Sequence, residues 1–216
     1  MNAAPQLRLA ILISGRGSNM EALAHACQSG ALAARVAVVI ADRADAGGLA
    51  LARGLGIPTA TVAQAGERGA FEQALAAALA EHRPGAVALA GFMRVLSADF
   101  VARYLGRLFN IHPSLLPKYR GLDTHRRVLE ARDTRHGASV HFVTPELDAG
   151  PVVLQSRLAV RSDDTAASLA ARVLATEHVI YPRALGWFAA ARLAWRDGAA
   201  WLDGRPLTAP VVEDFR

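Results

Sequence analysis

The chain has a single cysteine, Cys27, and a single lysine, Lys118. One thiol excludes an internal disulfide, and with it the small disulfide-stapled scaffolds; it suits a reducing cytoplasm. Within "MEALAHACQSG", Cys27 reads as a small buried helix residue rather than a nucleophile. No apolar run reaches the length of a membrane span, because Arg, Asp, Glu or His interrupts every one. The first residues, "MNAAPQLRLAILISG", hold one basic residue and a short apolar run that ends in a glycine turn, which is not the shape of a signal peptide. Aromatic residues are 6% of the chain, and only Arg126 and Arg127 are adjacent arginines, so there is no basic tract with an aromatic platform to take a nucleic acid. H-E-x-x-H and C-x-x-C are missing, and no metal is expected. Ser114 lies outside any G-x-S-x-G frame, so no serine nucleophile is indicated. There is no internal repeat, linker or low-complexity block.

What is there fits one α/β domain spanning residues 1–216: 22.8 kDa, 52% hydrophobic, and long enough for a sizeable core. The net charge of +5 comes almost wholly from arginine and, being scattered, points to small anionic ligands. "LRLAILI" reads as a buried strand ending in a glycine turn, "MEALAHACQSG" as a helix closed by Gly30, and "VAVVIA" as a second strand. "GLALARGLG" is a helix, "IPTATV" a short strand, and Glu67 to His82 a helix. "AVALAGF" and "RLFNIH" follow as buried strands. Strands alternating with helices imply a Rossmann-like, mostly parallel sheet with helices on both faces. "ASVHFVT" and "PVVLQSRLAV" have little between them and predict a mixed or antiparallel edge. A long helix from Thr165 to about Ala190 comes next, and "LAWRDGAAWLDGRPL" predicts a hairpin turning at Asp197-Gly198.

In such sheets ligands lie at the carboxyl ends of the strands. Three chemically loaded turns fall there: Ser14 to Asn19, Gly91 to Leu96, and Asn110 to His112. The first, in "ISGRGSNM", is a glycine-rich turn into a helix whose first amides, at Ser18, Asn19 and Met20, suit a phosphate. Ser18 or Asn19 could also cap that helix. A dinucleotide fingerprint does not fit: Met20 stands at the third glycine position and only Asp42 offers a loose acidic residue after the second strand.

Asn110 and His112 are two apart on an extended segment, so their side chains point the same way. An amide donor and an imidazole aimed at one point suit acyl transfer, with the amide on the developing oxyanion and the imidazole moving a proton. A lone strand-end histidine is more often a structural hydrogen-bonder. Asp148, in "TPELDAGPV", is a candidate partner for the imidazole, though a turn Asp is common and spacing alone does not join it to His112. His136 and His141, five apart on one strand, should face opposite ways; with His125 they read as structural or pocket-lining rather than as ligands.

Taken together, "ILISGRGSNM", "ADRADAGGLALARGLGIPT", "LAGFMRVLS", "NIHPSLLPKYRG", "HGASVHFV", "LDAGP", "ATEHVIYPRALGWFA" and "AAWLDG" resemble the phosphoribosylglycinamide formyltransferases, the folate-dependent enzymes of purine synthesis. The resemblance covers nearly the whole chain. It implies that Gly17, Ser18 and Asn19 hold the substrate phosphate and that Glu177 meets the glycinamide part. It implies a folate site lined by Arg68, Met93, Arg94, Val95, Leu96 and Asn110, and a catalytic trio of Asn110, His112 and Asp148. It also implies 10-formyltetrahydrofolate as co-substrate, no metal, small molecules as the only partners with neither nucleic acid nor membrane, and a monomer or homodimer in the cytoplasm. The N-terminal half would carry the phosphate and substrate site, the C-terminal half the folate site and catalytic residues. Arg120 departs from relatives that have proline in "KYPG"; its position is expected to touch none of the trio. Two related activities are alternatives. Formyltransferases acting on methionyl-tRNA carry a C-terminal RNA-binding barrel, where here only a short tail follows the long helix. Formyltetrahydrofolate hydrolases carry an N-terminal regulatory domain, where here the chain starts on the first strand.

Overall fold

A computed structural model describes residues 6–63 and 67–216. The chain divides into two compact units, Met1–Phe109 and Asn110–Arg216.

In the first unit, β1 (Leu7–Ile13), β2 (Ala34–Ala41), β3 (Thr59–Thr61) and β4 (Ala86–Leu89) lie in the order β3-β2-β1-β4. All three pairings are parallel. Leu9 to Ile13 are each fully buried. Successive strand residues point to opposite faces, so burial of every one means that both faces are covered. The crossovers are α1 (Ser18–Gln28), α2 (Gly47–Gly54), α3 (Arg68–His82) and, after β4, the short α4 (Ala98–Arg103). The strand expected over "AVALAGF" is shorter than its apolar run, because the backbone leaves the ladder and turns at Gly91, φ 73°. The sequence reading did not anticipate α4; Ser97 caps it by accepting from the Phe100 amide, and Glu72 in turn takes the Ser97 amide at 2.6 Å. Cys27 is half-buried rather than buried, and its surroundings push its thiol up to about 11, as suits an unreactive residue.

β5 (Leu108–His112) begins in the first unit and ends in the second. In the second unit it is followed in the sheet by β6 (Arg135–Phe142), β7 (Val152–Ala159) and β11 (Val211–Asp214). β6 and β7 are antiparallel, the expected mixed edge. The return of the chain as β11, parallel to β7, was not foreseen; its four residues are too few to stand out in the sequence. Two helices belong here: α5 (Thr124–Glu130) and α6 (Ala166–Ala189), the latter opened by a capping box between Thr165 and Ser168. The hairpin forms as read. β8 (Leu193–Arg196) and β9 (Ala199–Leu202) are antiparallel about Asp197 (φ 50°) and Gly198 (φ 78°), a pair of positive φ values that fits Asp-Gly. A second Asp-Gly turn at Asp203-Gly204 adds β10 (Arg205–Pro206). No helix among the described residues is long and apolar enough to cross a membrane.

Gly137, on β6, lies hard against the backbone of β7. A Cβ on it would lie 1.8 Å from the Ser156 carbonyl oxygen, and backbone cannot yield as a side-chain tip would. Gly137→Ala should therefore lower the unfolding free energy by about 3 kcal/mol or more, well beyond an ordinary surface change. Urea titration followed by circular dichroism would measure this, and a loss under about 1 kcal/mol would contradict the close packing described.

Candidate active site

The loop after β1 is built on close backbone approach. Gly17 is the N-cap of α1 with φ 81°, and a Cβ there would meet the Gly48 Cα at 2.7 Å. Glycine is thus required twice, for its conformation and for its lack of volume. Neither Ser18 nor Asn19 is the cap. They are the first residues of α1 itself, and no side-chain cap bond is made at this end. That leaves the helix start in the form that accepts an anion. Met20, where a dinucleotide fingerprint would need glycine, is fully buried and fills core volume.

This loop is tied to the segment after β4. The Ser14 amide donates to the Gly91 carbonyl at 3.1 Å, and the Met93 amide donates to Ser14 Oγ at 2.9 Å. Two of the three turns picked out in the sequence are therefore bonded to each other. Within the second of them the side chains divide. Met93 and Val95 are exposed at 67% and 60%, an unusual state for apolar residues and the kind that a ligand covers. Leu96 turns into the core. Arg94 is held at 2.7 Å by the buried Asp42 and lies over the Phe71 ring, 5.6 Å from its centroid. Asp42, in the sequence only a loose acidic candidate after the second strand, is thus an anchor for Arg94. Arg68, the first residue of α3, is exposed.

In the second unit, β5 ends with Asn110 half-buried and His112 buried. His112 Nε2 lies 2.9 Å from the Tyr119 carbonyl oxygen, and Nδ1 lies 3.4 Å from Asp148 Oδ2. Both ring nitrogens face acceptors, an arrangement that a ring protonated on both satisfies in full. Asp148, in a left-handed conformation at φ 49° with its side chain 8% exposed, also accepts the Gly121 amide at 2.9 Å. So the turn Asp does meet the strand-end His, across 36 residues of chain.

His141, read from the sequence as structural or pocket-lining and given no catalytic or binding role, completes the cluster. Its Nδ1 is 2.8 Å from the Phe142 carbonyl and its Nε2 is 3.1 Å from Asn110 Nδ2. Burial pushes its pKa far below the ordinary imidazole value, so the ring is neutral at pH 7. The sequence carried no signal for this contact, because Asn110 and His141 of β6 meet across 31 residues of chain. His136, on the same strand, bonds instead to His125, at 3.0 Å. Burial, then the neighbouring His125 and His112, holds His136 down at about 4; burial and then His112 also lower His125.

The loop between β5 and α5 is pinned from below. Ser139 Oγ donates to the Ser114 carbonyl at 2.6 Å and accepts the Leu116 amide, and Gln155 Nε2 donates to both the Leu116 carbonyl and Ser139 Oγ at 2.9 Å. Ser114 itself is fully buried and donates to the Lys118 carbonyl at 2.7 Å, a structural role. Arg120 touches none of the trio with its side chain, as expected, but pairs with Glu146 at 2.6 Å and so links the loops that carry Tyr119 and Asp148. Glu177 is buried on α6. Among the described residues, no group of three or more His, Cys, Asp or Glu is placed to hold a metal ion.

An Asn-His-Asp cluster of this geometry suits acyl transfer. A family model described as formyl transferase matches residues 7–185, and the chain belongs to that family. Among its members the chain goes with the phosphoribosylglycinamide formyltransferases. It is 48% identical over 203 residues to that of Escherichia coli (strain K12), covering 93% of this chain and 96% of that one. The solved phosphoribosylglycinamide formyltransferase from Coxiella burnetii superposes with a TM-score of 0.92 at 47% identity, covering 96% of this chain and 99% of that one. A formyltetrahydrofolate deformylase from Pseudomonas syringae shares the fold, with a TM-score of 0.86 at 23% identity over 92% of this chain and 66% of that one.

The buried histidines set a pH dependence of stability. His136 has a folded pKa of about 4, so between there and the ordinary value near ~6.5 the unfolded chain takes up a proton that the fold refuses. Stability is complete above that window and falls as pH drops through it. The His136 share should be on the order of 1–2 kcal/mol after allowance for residual screening. Urea midpoints from pH 7 to 4 should show the fall, and His136→Gln should flatten it; an unchanged slope would mean that His136 is not held neutral.

Proposed function

We propose that the chain transfers the formyl group of 10-formyltetrahydrofolate to the amine of phosphoribosylglycinamide, a step of purine synthesis in the cytoplasm. The observation that carries this reading is His112 set between the Tyr119 carbonyl and the Asp148 carboxylate, with the Asn110 amide two residues before it on the same strand. The substrate amine attacks the formyl carbon, and the carbonyl electron pair moves onto oxygen. Asn110 and His112 supply hydrogen-bond donors to that oxyanion. The tetrahedral intermediate then collapses, the bond from the formyl carbon to the folate nitrogen breaks, and the proton lost by the amine is delivered to that nitrogen through His112. Asp148 orients the ring and stabilises its cationic form. The proton on His112 Nε2, which faces the Tyr119 carbonyl here, is the one offered to the substrate.

Gly17, Ser18 and Asn19 take the substrate phosphate in this scheme, and Glu177 the glycinamide nitrogen. The folate is assigned to Arg68, Met93, Arg94, Val95, Leu96 and Asn110, with support from the exposure of Met93 and Val95. Residues 1–216 then act as one formyltransferase domain, as a monomer or homodimer, with the two small molecules as partners.

Two kinetic tests address the two halves of the scheme. Asn19→Asp places a negative charge at the phosphate site and should raise the KM for phosphoribosylglycinamide by about tenfold, the factor for ~1.4 kcal/mol, with the KM for the folate little changed. An unchanged KM would remove the phosphate from this loop. Asp148→Asn keeps the shape but not the charge, and should lower kcat by roughly 10²–10⁴, with His112→Ala costing as much or more. The double variant should be far less damaged than the product of the two, because each loss disables the same proton movement. Simple multiplication would leave Asp148 as a turn residue only.

A further inference from the structure

We propose that His141 is a positioning residue: it holds the Asn110 amide with its nitrogen turned toward the imidazole, so that the second N–H on that nitrogen is left for the formyl oxygen. This rests on the role given to Asn110 above.

The hydrogen bonds decide the orientation. His141 Nδ1 lies 2.8 Å from the Phe142 carbonyl, which only accepts, so the ring's proton is on Nδ1. Nε2 is then a lone pair. The amide group 3.1 Å from it must be a donor, which makes it the Asn110 nitrogen and not the oxygen. His141 is 2% exposed, and burial opposes a second ring proton that would turn Nε2 into a donor and reverse the amide. Asp148 Oδ1, at 3.8 Å from Nε2, is beyond hydrogen-bond reach and does not compete for this position.

The positioning is needed because an Asn amide has a broad terminal torsion, and its two ends differ little in shape. Asn110 is half-buried, the third of the five residues of β5. One added hydrogen bond shifts the balance between the two orientations by roughly tenfold. Without it, the amide would present its carbonyl oxygen to the developing oxyanion for much of the time, which repels rather than stabilises.

Two substitutions at one position separate this role from a structural one. His141→Asn keeps a donor at the δ level for the Phe142 carbonyl but has no acceptor at the ε level. His141→Gln sets an amide oxygen near the ε level. Steady-state kinetics with phosphoribosylglycinamide and 10-formyltetrahydrofolate should show kcat falling by about five- to tenfold in His141→Asn, with both KM values within about twofold, since the lost contact acts in the transition state. His141→Gln should retain kcat within about twofold of the parent. In an Asn110→Ala background, His141→Asn should cost less than about twofold, because the group it positions is gone. The proposal is overturned if His141→Asn keeps the parental kcat, if Gln is no better than Asn, or if His141→Asn costs the same factor with and without Asn110. Parental kcat in Asn110→Ala alone would instead overturn the role of Asn110 in formyl transfer.

Discussion

A carboxylate kept nearly out of water must be given donors, and Asp148 is such a group. Its burial governs the second unit. One oxygen takes the Gly121 amide and faces His112 Nδ1; the other faces His141 across 3.8 Å. Gly121 supplies its amide only because the loop before α5 comes back over the end of β5, and that loop brings the Tyr119 carbonyl to the other side of the His112 ring. Removing the charge therefore alters more than one contact: it loosens the reason for the loop to lie where it does.

The rigidity of that loop comes from below. Ser139 and Gln155, on β6 and β7, meet the Ser114 carbonyl and the Leu116 amide and carbonyl with buried hydrogen bonds, where an unmet polar group would cost about 1–3 kcal/mol. The surface pairs Arg120–Glu146 and Lys118–Asp133 add less, since exposed ion pairs contribute at most about 1 kcal/mol each. Buried polar groups on β6 and β7 thus hold the loop that carries Tyr119 to the His112 ring. His141, bonded on one side to the Phe142 carbonyl, takes the Asn110 amide on the other.

The first unit follows a different logic, in which backbone approach matters more than side chains. Gly17 packs against Gly48, and the Gly48 amide donates to the Gly15 carbonyl at 3.0 Å, so the turn after β1 and the start of α2 fix each other. Ser14 then transmits that position to Met93. The segment bearing Met93, Arg94 and Val95 is set by a hydroxyl, an ion pair with Asp42 and a ring face, rather than by its own propensities.

Much of this was legible in the sequence because it is local. The apolar runs mark β1, β2 and β5, the Asp197-Gly198 pair marks the β8–β9 hairpin, and Thr165 with Ser168 opens α6. The two-residue spacing of Asn110 and His112 and the glycine-rich turn at Gly17 likewise depend only on strand period and backbone freedom. Other features depend on what lies far away in the chain. The end of β4 short of its apolar run, the return of β11 to β7, the meeting of His141 with Asn110, and the pairing of Asp42 with Arg94 are each fixed by partners 31 to 77 residues distant. Sequence by itself determined which residues could do this chemistry, because residue type and local spacing set what a side chain is able to donate or accept. Only the tertiary structure decided which of them meet, because burial makes each polar group take whatever partner the packing brings within hydrogen-bond distance.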